Sequence, residues 1–472
     1  MALDPVILSR IQFAFVISFH IIFPAFTIGL AAWLATIEGA RLFTGNTLYR
    51  RVFDFWLKVF AVSFGMGVVT GIVMAFQFGT NWSVLAAKTG SIQGPLLGYE
   101  GFTAFLLEAT FFGVMLLGRE RVSPRFYFFA CCMVSLGTMF SSFWILANNS
   151  WMQVPLGHTI VEGKIIPADW QQIVLGPVMM VRWPHMLLAA FLTTGMCVAA
   201  SGAWYTLRDV HRDEGRVMLH WGLALVALII PVQLYFGHLT GLYVLKHQPA
   251  KFAAIEARWE NEQPASEVLL AIPDEASERN LFAITVPKLG SMIASGNWTA
   301  AEVGLESFPK EDRPPVVIPF FGFRIMVGMG LVMLAVSWFG NLLRWRGTLE
   351  TKRWFLWGTF LSFPSGFVAV LTGWFTAEVG RQPWVVYGLL RTKDAVTPSL
   401  TTGDVAFSLA GYMVVYAVVY SFGLHYIYCL LRDGPGADAK PGSGVTGATG
   451  KRPLAFAGHP DTATGGSRRQ EP

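Results

Sequence analysis

Pro319–Leu343 reads PFFGFRIMVGMGLVMLAVSWFGNLL, a run of 25 residues whose only charged side chain is Arg324. As a helix it would be about 37 Å long, enough to cross the roughly 30 Å of hydrocarbon in a bilayer. The rest of the chain has the same texture: of 472 residues, 53% are hydrophobic and 14% charged, outside the range of soluble globular domains. Comparable runs begin near Ile11, Phe53, Pro95, Phe126, Pro184, Val217, Pro319, Trp354 and Val405, about nine in all. A transmembrane β-barrel alternates apolar and polar residues in ten-residue segments, whereas these runs are solidly apolar. The sequence therefore predicts an all-α integral membrane protein, embedded in a lipid bilayer with about nine transmembrane helices.

Lys and Arg accumulate in cytoplasmic loops, and every second loop here is basic. Arg41, Arg50 and Arg51 follow the first run, Arg119, Arg121 and Arg125 the third, Arg208, Arg212 and Arg216 the fifth, and Arg344, Arg346, Lys352 and Arg353 the seventh. This predicts an N-terminus outside and a cytoplasmic C-terminus, with the first helix serving as an uncleaved anchor. The loop bias accounts for the net charge of +5, and no basic array with interleaved aromatics points to nucleic acid. Cys131, Cys132, Cys197 and Cys429 all fall in apolar runs without C-x-x-C pairing, which argues against disulfides, zinc and covalently attached haem. The expected organisation is 1–238 for helices one to six, 239–318 for a long outside loop, 319–431 for helices seven to nine, and 432–472 for a Gly-, Pro-, Ser- and Thr-rich tail predicted to be disordered.

Function is sought in the polar residues that the apolar runs tolerate, because a charge in hydrocarbon costs a few kcal/mol without a partner. His20 lies in the first run. Glu100 and Glu108 lie in GYEGFTAFLLEATFF (Gly98–Phe112), where regular α-helical spacing predicts about 80° of rotation and about 12 Å of axial separation. His185 follows Pro184, a residue suited to a helix's first turn. Arg324 and Met326 are early in the seventh run, and Glu378 and Arg381 close the eighth, in GWFTAEVGRQPW (Gly373–Trp384).

With the predicted orientation, His20, Glu100, His185, Met326 and Glu378 all lie in the outer half of the membrane. Imidazoles, a thioether and carboxylates at one level suit several non-covalent haems, and guanidinium groups such as Arg324 and Arg381 suit haem propionates. Each residue also has a plainer reading. A lone intramembrane His can simply bond a neighbouring helix, Met is common core filler, and Glu378 with Arg381 can be a helix-end ion pair between the interfacial anchors Trp374 and Trp384. Glu108 suits a proton relay or a partner for a polar group on another chain.

The motifs GRQPW, FRIMVG, YEG...LLEATFFG and AKFAAIEARWE occur together and in order, and the chain resembles subunit I of the cytochrome bd-type quinol oxidases from its N-terminus through the ninth helix. That resemblance implies a multi-pass protein of the bacterial cytoplasmic (inner) membrane. It implies His185 and Met326 as the axial pair of a low-spin haem b with Arg324 close by, and Glu378 as a ligand of a high-spin, b595-type haem b with Arg381 beside it. Trp374 would lie among the haems, His20 and Glu100 would serve the high-spin pair, and Glu108 would stand on the proton route. The oxygen site would take haem d or a third haem b.

The long loop resembles the family's periplasmic quinol-binding loop, with Lys251 and Glu256 at its quinol-associated positions, in the short form associated with cyanide-insensitive oxidases; solvated loop charge is the plainer alternative. The implied activity is oxidation of ubiquinol or menaquinol outside and four-electron reduction of dioxygen to water, with protons drawn from the cytoplasm and no pump. Implied partners are a second membrane subunit and a small accessory subunit. A haem b membrane anchor of a quinone-linked dehydrogenase and a secondary transporter are the competing classes. The first leaves His20, Glu100 and Glu378 without purpose, and the second predicts paired broken helices in repeated halves. A haem-copper oxidase would need three further intramembrane histidines.

Overall fold

The computed structural model describes residues 4–436, and the tail predicted to be disordered lies almost wholly outside them. Among the described residues nine helical spans are long and apolar enough to cross a membrane: Pro5–Thr44, Thr47–Thr80, Ser83–Leu117, Pro124–Gln153, Trp170–Arg208, Arg212–His247, Val317–Trp345, Arg353–Val379 and Thr402–Asp433. They are called here the first to ninth spans. Their ends follow local chemistry. Asp4 accepts from the Val6 amide ahead of Pro5, Ser123 accepts from the Phe126 amide ahead of Pro124, and Thr401 with Asp404 forms a reciprocal capping box, each satisfying amides that a helix start leaves unbonded. Gly45 turns the chain out of the first span with φ 70°, a left-handed conformation that glycine adopts without steric cost.

Four expectations need correction. The third span begins at Ser83 rather than near Pro95, so Pro95 lies inside it. The helix of the fifth span starts at Met179, which puts Pro184 in its second turn instead of its first. The third span is also not uniformly α-helical. Glu100–Phe105 forms a π-helical segment between Ser83–Tyr99 and Leu106–Leu117, and its wider turns carry less than 100° per residue, so the rotation worked out between Glu100 and Glu108 does not apply. The sixth span in addition continues as helix to His247, nine residues beyond His238.

The fifth and sixth spans pack so closely that a Cβ at Gly202 would come 2.3 Å from Leu219 N and one at Gly222 2.7 Å from Ala199 N; only glycine admits this backbone approach. The fifth, sixth, seventh and eighth spans close a ring, each packed on the next, while the first span packs on the second, fourth, fifth and ninth. The connections between second and third, fourth and fifth, sixth and seventh, and eighth and ninth spans share one end of the bundle. Most of the non-membrane structure collects there, including three antiparallel hairpins: His158–Val161 with Lys164–Pro167, Glu267–Asp274 with Arg279–Val286, and Trp384–Val386 with Leu390–Arg391. At the other end buried Glu38 pairs with Arg41 at 2.6 Å and Arg119 at 3.1 Å, tying the first span to the turn after the third.

Candidate functional site

The hairpin end of the bundle holds a polar centre built on Glu378. Its Oε1 accepts from Asn149 Nδ2 at 3.1 Å and Gln153 Nε2 at 3.0 Å, and its Oε2 pairs with Arg381 Nη2. Asn149 and Gln153 project from the last turns of the fourth span, and Arg381 from the GRQPW turn after the eighth. The connector between the sixth and seventh spans enters the same centre through its first short helix, Pro249–Ile255. Lys251, 4% exposed, donates from Nζ to Ala377 O at 2.8 Å and to Gln153 Oε1 at 3.1 Å, and Gln248 Nε2 donates to Gln153 O at 2.7 Å. Burial first, then the positive charge of Arg182, holds the Lys251 amine well below the usual lysine range.

Arg182 joins from the fifth span, donating to Ser150 Oγ at 3.3 Å and lying 5.8 Å from the ring centre of Trp374. Arg381, Arg182 and Lys251 all act on the Glu378 carboxylate, so two guanidinium groups and an amine face one anion. That carboxylate nevertheless keeps 31% of its side-chain surface open, and Arg381 leaves Nε and Nη1 buried without a partner.

His185 and Met326 stand on the fifth and seventh spans, which lie across the four-helix ring from one another and are joined through the sixth and eighth. The His185 ring lies against Gly237 of the sixth span, where a Cβ would come 3.3 Å from Cε1; the Met326 sulfur lies against Gly373 of the eighth, where a Cβ would come 2.8 Å from Sδ. His185 Nδ1 is buried and unpaired.

His20 bridges the first and second spans. Its Nδ1 is 3.0 Å from Thr70 Oγ1, and its ring lies over Gly71. The Thr70 hydroxyl already donates to Met66 O at 2.9 Å, so it accepts from His20 Nδ1–H. Nε2 then carries the lone pair, the tautomer that a metal-ligating His requires. Glu100, at the start of the π-helical segment, accepts from Ser141 Oγ at 2.9 Å. Glu108, 6% exposed, packs its Cγ where a Cβ at Gly137 would come within 2.7 Å. Both carboxylates therefore face the fourth span. Among the described residues no group of three or more His, Cys, Asp or Glu is arranged to hold a bare metal ion.

Arg324 serves the connector. It donates from Nε to Val268 O at 3.1 Å and from Nη2 to Val268 O at 2.6 Å and Glu256 Oε2 at 3.0 Å, while Nη1 donates to Ile255 O. Of the two arginines expected to meet propionates, Arg381 retains unpaired buried N–H groups, whereas Arg324 directs its donors into the loop.

The family model for cytochrome bd terminal oxidase subunit I matches residues 8–435. The chain belongs to that family. It is similar to the cytochrome bd ubiquinol oxidase subunit 1 of Bacillus subtilis (strain 168), with 33% identity over 447 residues that cover 91% of this chain and 94% of that protein. It is likewise similar to the cytochrome bd-II ubiquinol oxidase subunit 1 of Escherichia coli (strain K12), at 31% identity over 92% of this chain and 98% of that one. Among solved structures it matches the bd oxidase from Geobacillus thermodenitrificans with TM-score 0.85 and 25% identity, covering 92% of this chain and 100% of the other.

For a cytochrome bd subunit I, haem is the cofactor class to set against these side chains. Sequence reasoning passed over three residues at the site: Arg182, Asn149 and Gln153. Arg182, three residues before His185, was detectable as a charge inside an apolar run. Asn149 and Gln153 look like an ordinary polar helix end, and only the fold reveals that they hold Glu378.

Proposed function

We propose that this chain is the haem-bearing subunit of a membrane quinol oxidase, which oxidises ubiquinol or menaquinol at its connector and reduces dioxygen to water. The observation that carries this reading is the Glu378 centre, where the connector's Lys251 and the carboxylate of the eighth span share one hydrogen-bonded cluster. A donor gripped by the connector and a cofactor held by Glu378 then belong to one polar unit.

The residues fit haem. The unpaired His185 Nδ1, the unpaired Arg381 donors and the glycine-backed placements of His185, Met326 and His20 are what planar, anionic macrocycles need. His185 and Met326 would hold a low-spin haem b, Glu378 a high-spin haem b of the b595 type, and His20 with Glu100 the oxygen site, carrying haem d or a third haem b. When bound, these groups accept electrons singly and bind and reduce dioxygen.

The chain's own side chains do the rest. Lys251 positions a quinol oxygen, and Glu256 accepts the hydroxyl proton. Arg182 and Arg381 attract propionates, with bidentate pairing open to Arg381, and Trp374 packs beneath Arg182. Glu108 holds a proton on its way from the cytoplasmic side toward Glu100. With the N-terminus outside, quinol protons leave on the periplasmic face and the protons consumed come from the cytoplasm, which separates charge without a pump. Residues 248–316, between the sixth and seventh spans, act as a short-form quinol loop, and the spans on either side act as the helical carrier. The assembly includes subunit II and a small accessory subunit in the bacterial inner membrane.

The test is a reduced-minus-oxidised spectrum and pyridine haemochrome assay on the purified complex, with oxygen uptake on ubiquinol, for wild type, His185→Ala and Glu378→Gln. Loss of a different haem in each variant together with oxidase activity supports the assignment. A wild-type complex without haem refutes it.

A further inference from the structure

The connector holds a second carboxylate that the proposed quinol site does not use. Glu267 opens the strand Glu267–Asp274, and its Oε1 lies 3.6 Å from Arg324 Nη2, the nitrogen that also contacts Glu256 Oε2 at 3.0 Å. Two buried carboxyl groups of the connector therefore meet at one guanidinium nitrogen. The charged groups facing Glu267 are Glu256, Arg324 and Arg258, and Arg258 Nη1 lies 4.0 Å from Glu302 Oε2. With Glu267 holding a proton, Glu256, Glu267 and Arg324 are together neutral. Burial and then the neighbouring Glu256 push the Glu267 carboxyl up to about 8. The side chain of Glu267 is the more open of the pair, 13% against 8% for Glu256, so it is the natural exit toward water.

We propose that Glu267 is a proton relay behind Glu256, passing quinol protons from the substrate to the solvent. The proposal rests on the reading that Glu256 faces quinol. The quinol O–H bond breaks as a new O–H forms on Glu256. The O–H of Glu267 breaks to water, and the proton on Glu256 then passes to Glu267 to restore the starting pair. The quinol's electrons leave separately through the oxidase's haems, so the relay moves protons alone and the pair returns to its starting charge after each one.

The test uses the purified oxidase complex carrying Glu267→Gln. Gln keeps the volume and can still donate to Glu256 but cannot release a proton. Quinol-driven kcat should fall about tenfold or more with KM for quinol nearly unchanged, and the limb of the pH–rate profile near 8 should vanish. Tetramethylphenylenediamine, a one-electron donor that brings no hydroxyl protons, should be oxidised at the wild-type rate, and Glu267→Asp should restore the pH limb. An unchanged kcat and pH profile in Glu267→Gln overturns the relay, as does an equal loss with both donors, which makes Glu267 a structural partner of Arg324. Wild-type quinol oxidation in Glu256→Gln would instead bring down the quinol-site reading beneath it.

Discussion

Replacing Lys251 by Met separates what the amine does from what its stem fills. Met keeps most of the side-chain volume at a position that is 4% exposed, and removes the hydrogen bonds of 2.8 Å to Ala377 O and 3.1 Å to Gln153 Oε1. Hydrogen bonds from a charged donor contribute about 1.5–3 kcal/mol each, but two effects offset their loss. Gln153 Oε1 still accepts from Gln248 Nε2 at 3.1 Å, and a buried cation beside Arg182 carries a desolvation cost that Met does not. The expected net change in stability is therefore about 1 kcal/mol or less. Turnover should respond more strongly. Burial disfavours the charged amine, but a quinol oxygen that gains negative charge in the transition state favours the protonated form, whose third N–H is free to reach it. Losing one charge-assisted hydrogen bond in the transition state costs about 1.5–3 kcal/mol, or about 10- to 150-fold in kcat/KM. The assay is oxygen uptake driven by ubiquinol and, separately, by tetramethylphenylenediamine, with thermal unfolding followed in the same detergent. Quinol kcat/KM should fall within that range while the diamine rate and Tm stay near wild type. An unchanged quinol kcat/KM, or equal slowing with both donors and a clear drop in Tm, would refute the reasoning.

Gly373→Ala places a Cβ 2.8 Å from the Met326 sulfur and should push the thioether aside, converting the low-spin haem signal to high spin in the reduced spectrum. Arg381→Gln removes a cation paired with Glu378, and because positive charge favours the reduced form, a redox titration should find the midpoint of the haem held there shifted negative. Arg324→Ala frees the carbonyls of Val268 and Ile255 and the Glu256 carboxylate, so limited proteolysis should cut the connector faster, with quinol oxidation lost before haem content. The Glu267 carboxyl is raised from 4.5 to about 8 mainly by burial. Its contribution to loop docking is therefore complete below about pH 4.5 and falls away as pH rises to about 8. Hydrogen exchange around 256–268, corrected for intrinsic rates, should speed up between pH 6 and 8.5 in wild type and change little in Glu267→Gln.

The spans were legible because each is an apolar run too long for anything but a membrane helix. Their starts were less so. The first turns of the third span, SVLAAKTGSIQG, are too polar to count as membrane sequence, and they pack against protein: Ser83 N donates to Thr397 Oγ1 at 3.0 Å and Ser91 Oγ to Ile165 O at 3.0 Å. The π-helical segment at Glu100–Phe105 leaves no mark on a periodicity count, because one wide turn is averaged away over the span. At the site, buried charges announced themselves one at a time, since each is improbable in hydrocarbon. Their partners did not, because partnership depends on chain crossings tens or hundreds of residues apart. Arg324 looked like a membrane cation and turned out to staple the connector, and Lys251, in a loop where solvated charge was the plain reading, is buried against the eighth span.

The charge count at that centre links fold to function. Arg182 and Arg381 bring two positive charges to the single negative charge of Glu378, with the Lys251 amine, whose charge burial disfavours, beside them, a formal surplus of at least one. Removing one partner of a buried ion pair costs about 3–5 kcal/mol, so even one uncompensated cation would be a serious liability in a marginally stable protein. Hydrogen bonds to Ala377 O and Ser150 Oγ spread the charge without cancelling it. What cancels it is added anion, and a haem brings two propionates. Arg381, with two buried nitrogens lacking partners, is the group whose desolvation is least compensated by protein and most relieved by such a carboxylate. On this account the surplus is the binding energy for the cofactor held in reserve by the fold. Under the proposed function Lys251 then has a reason to be buried: its hydrogen bond to Ala377 O fixes the connector beside the cofactor that Glu378 would hold.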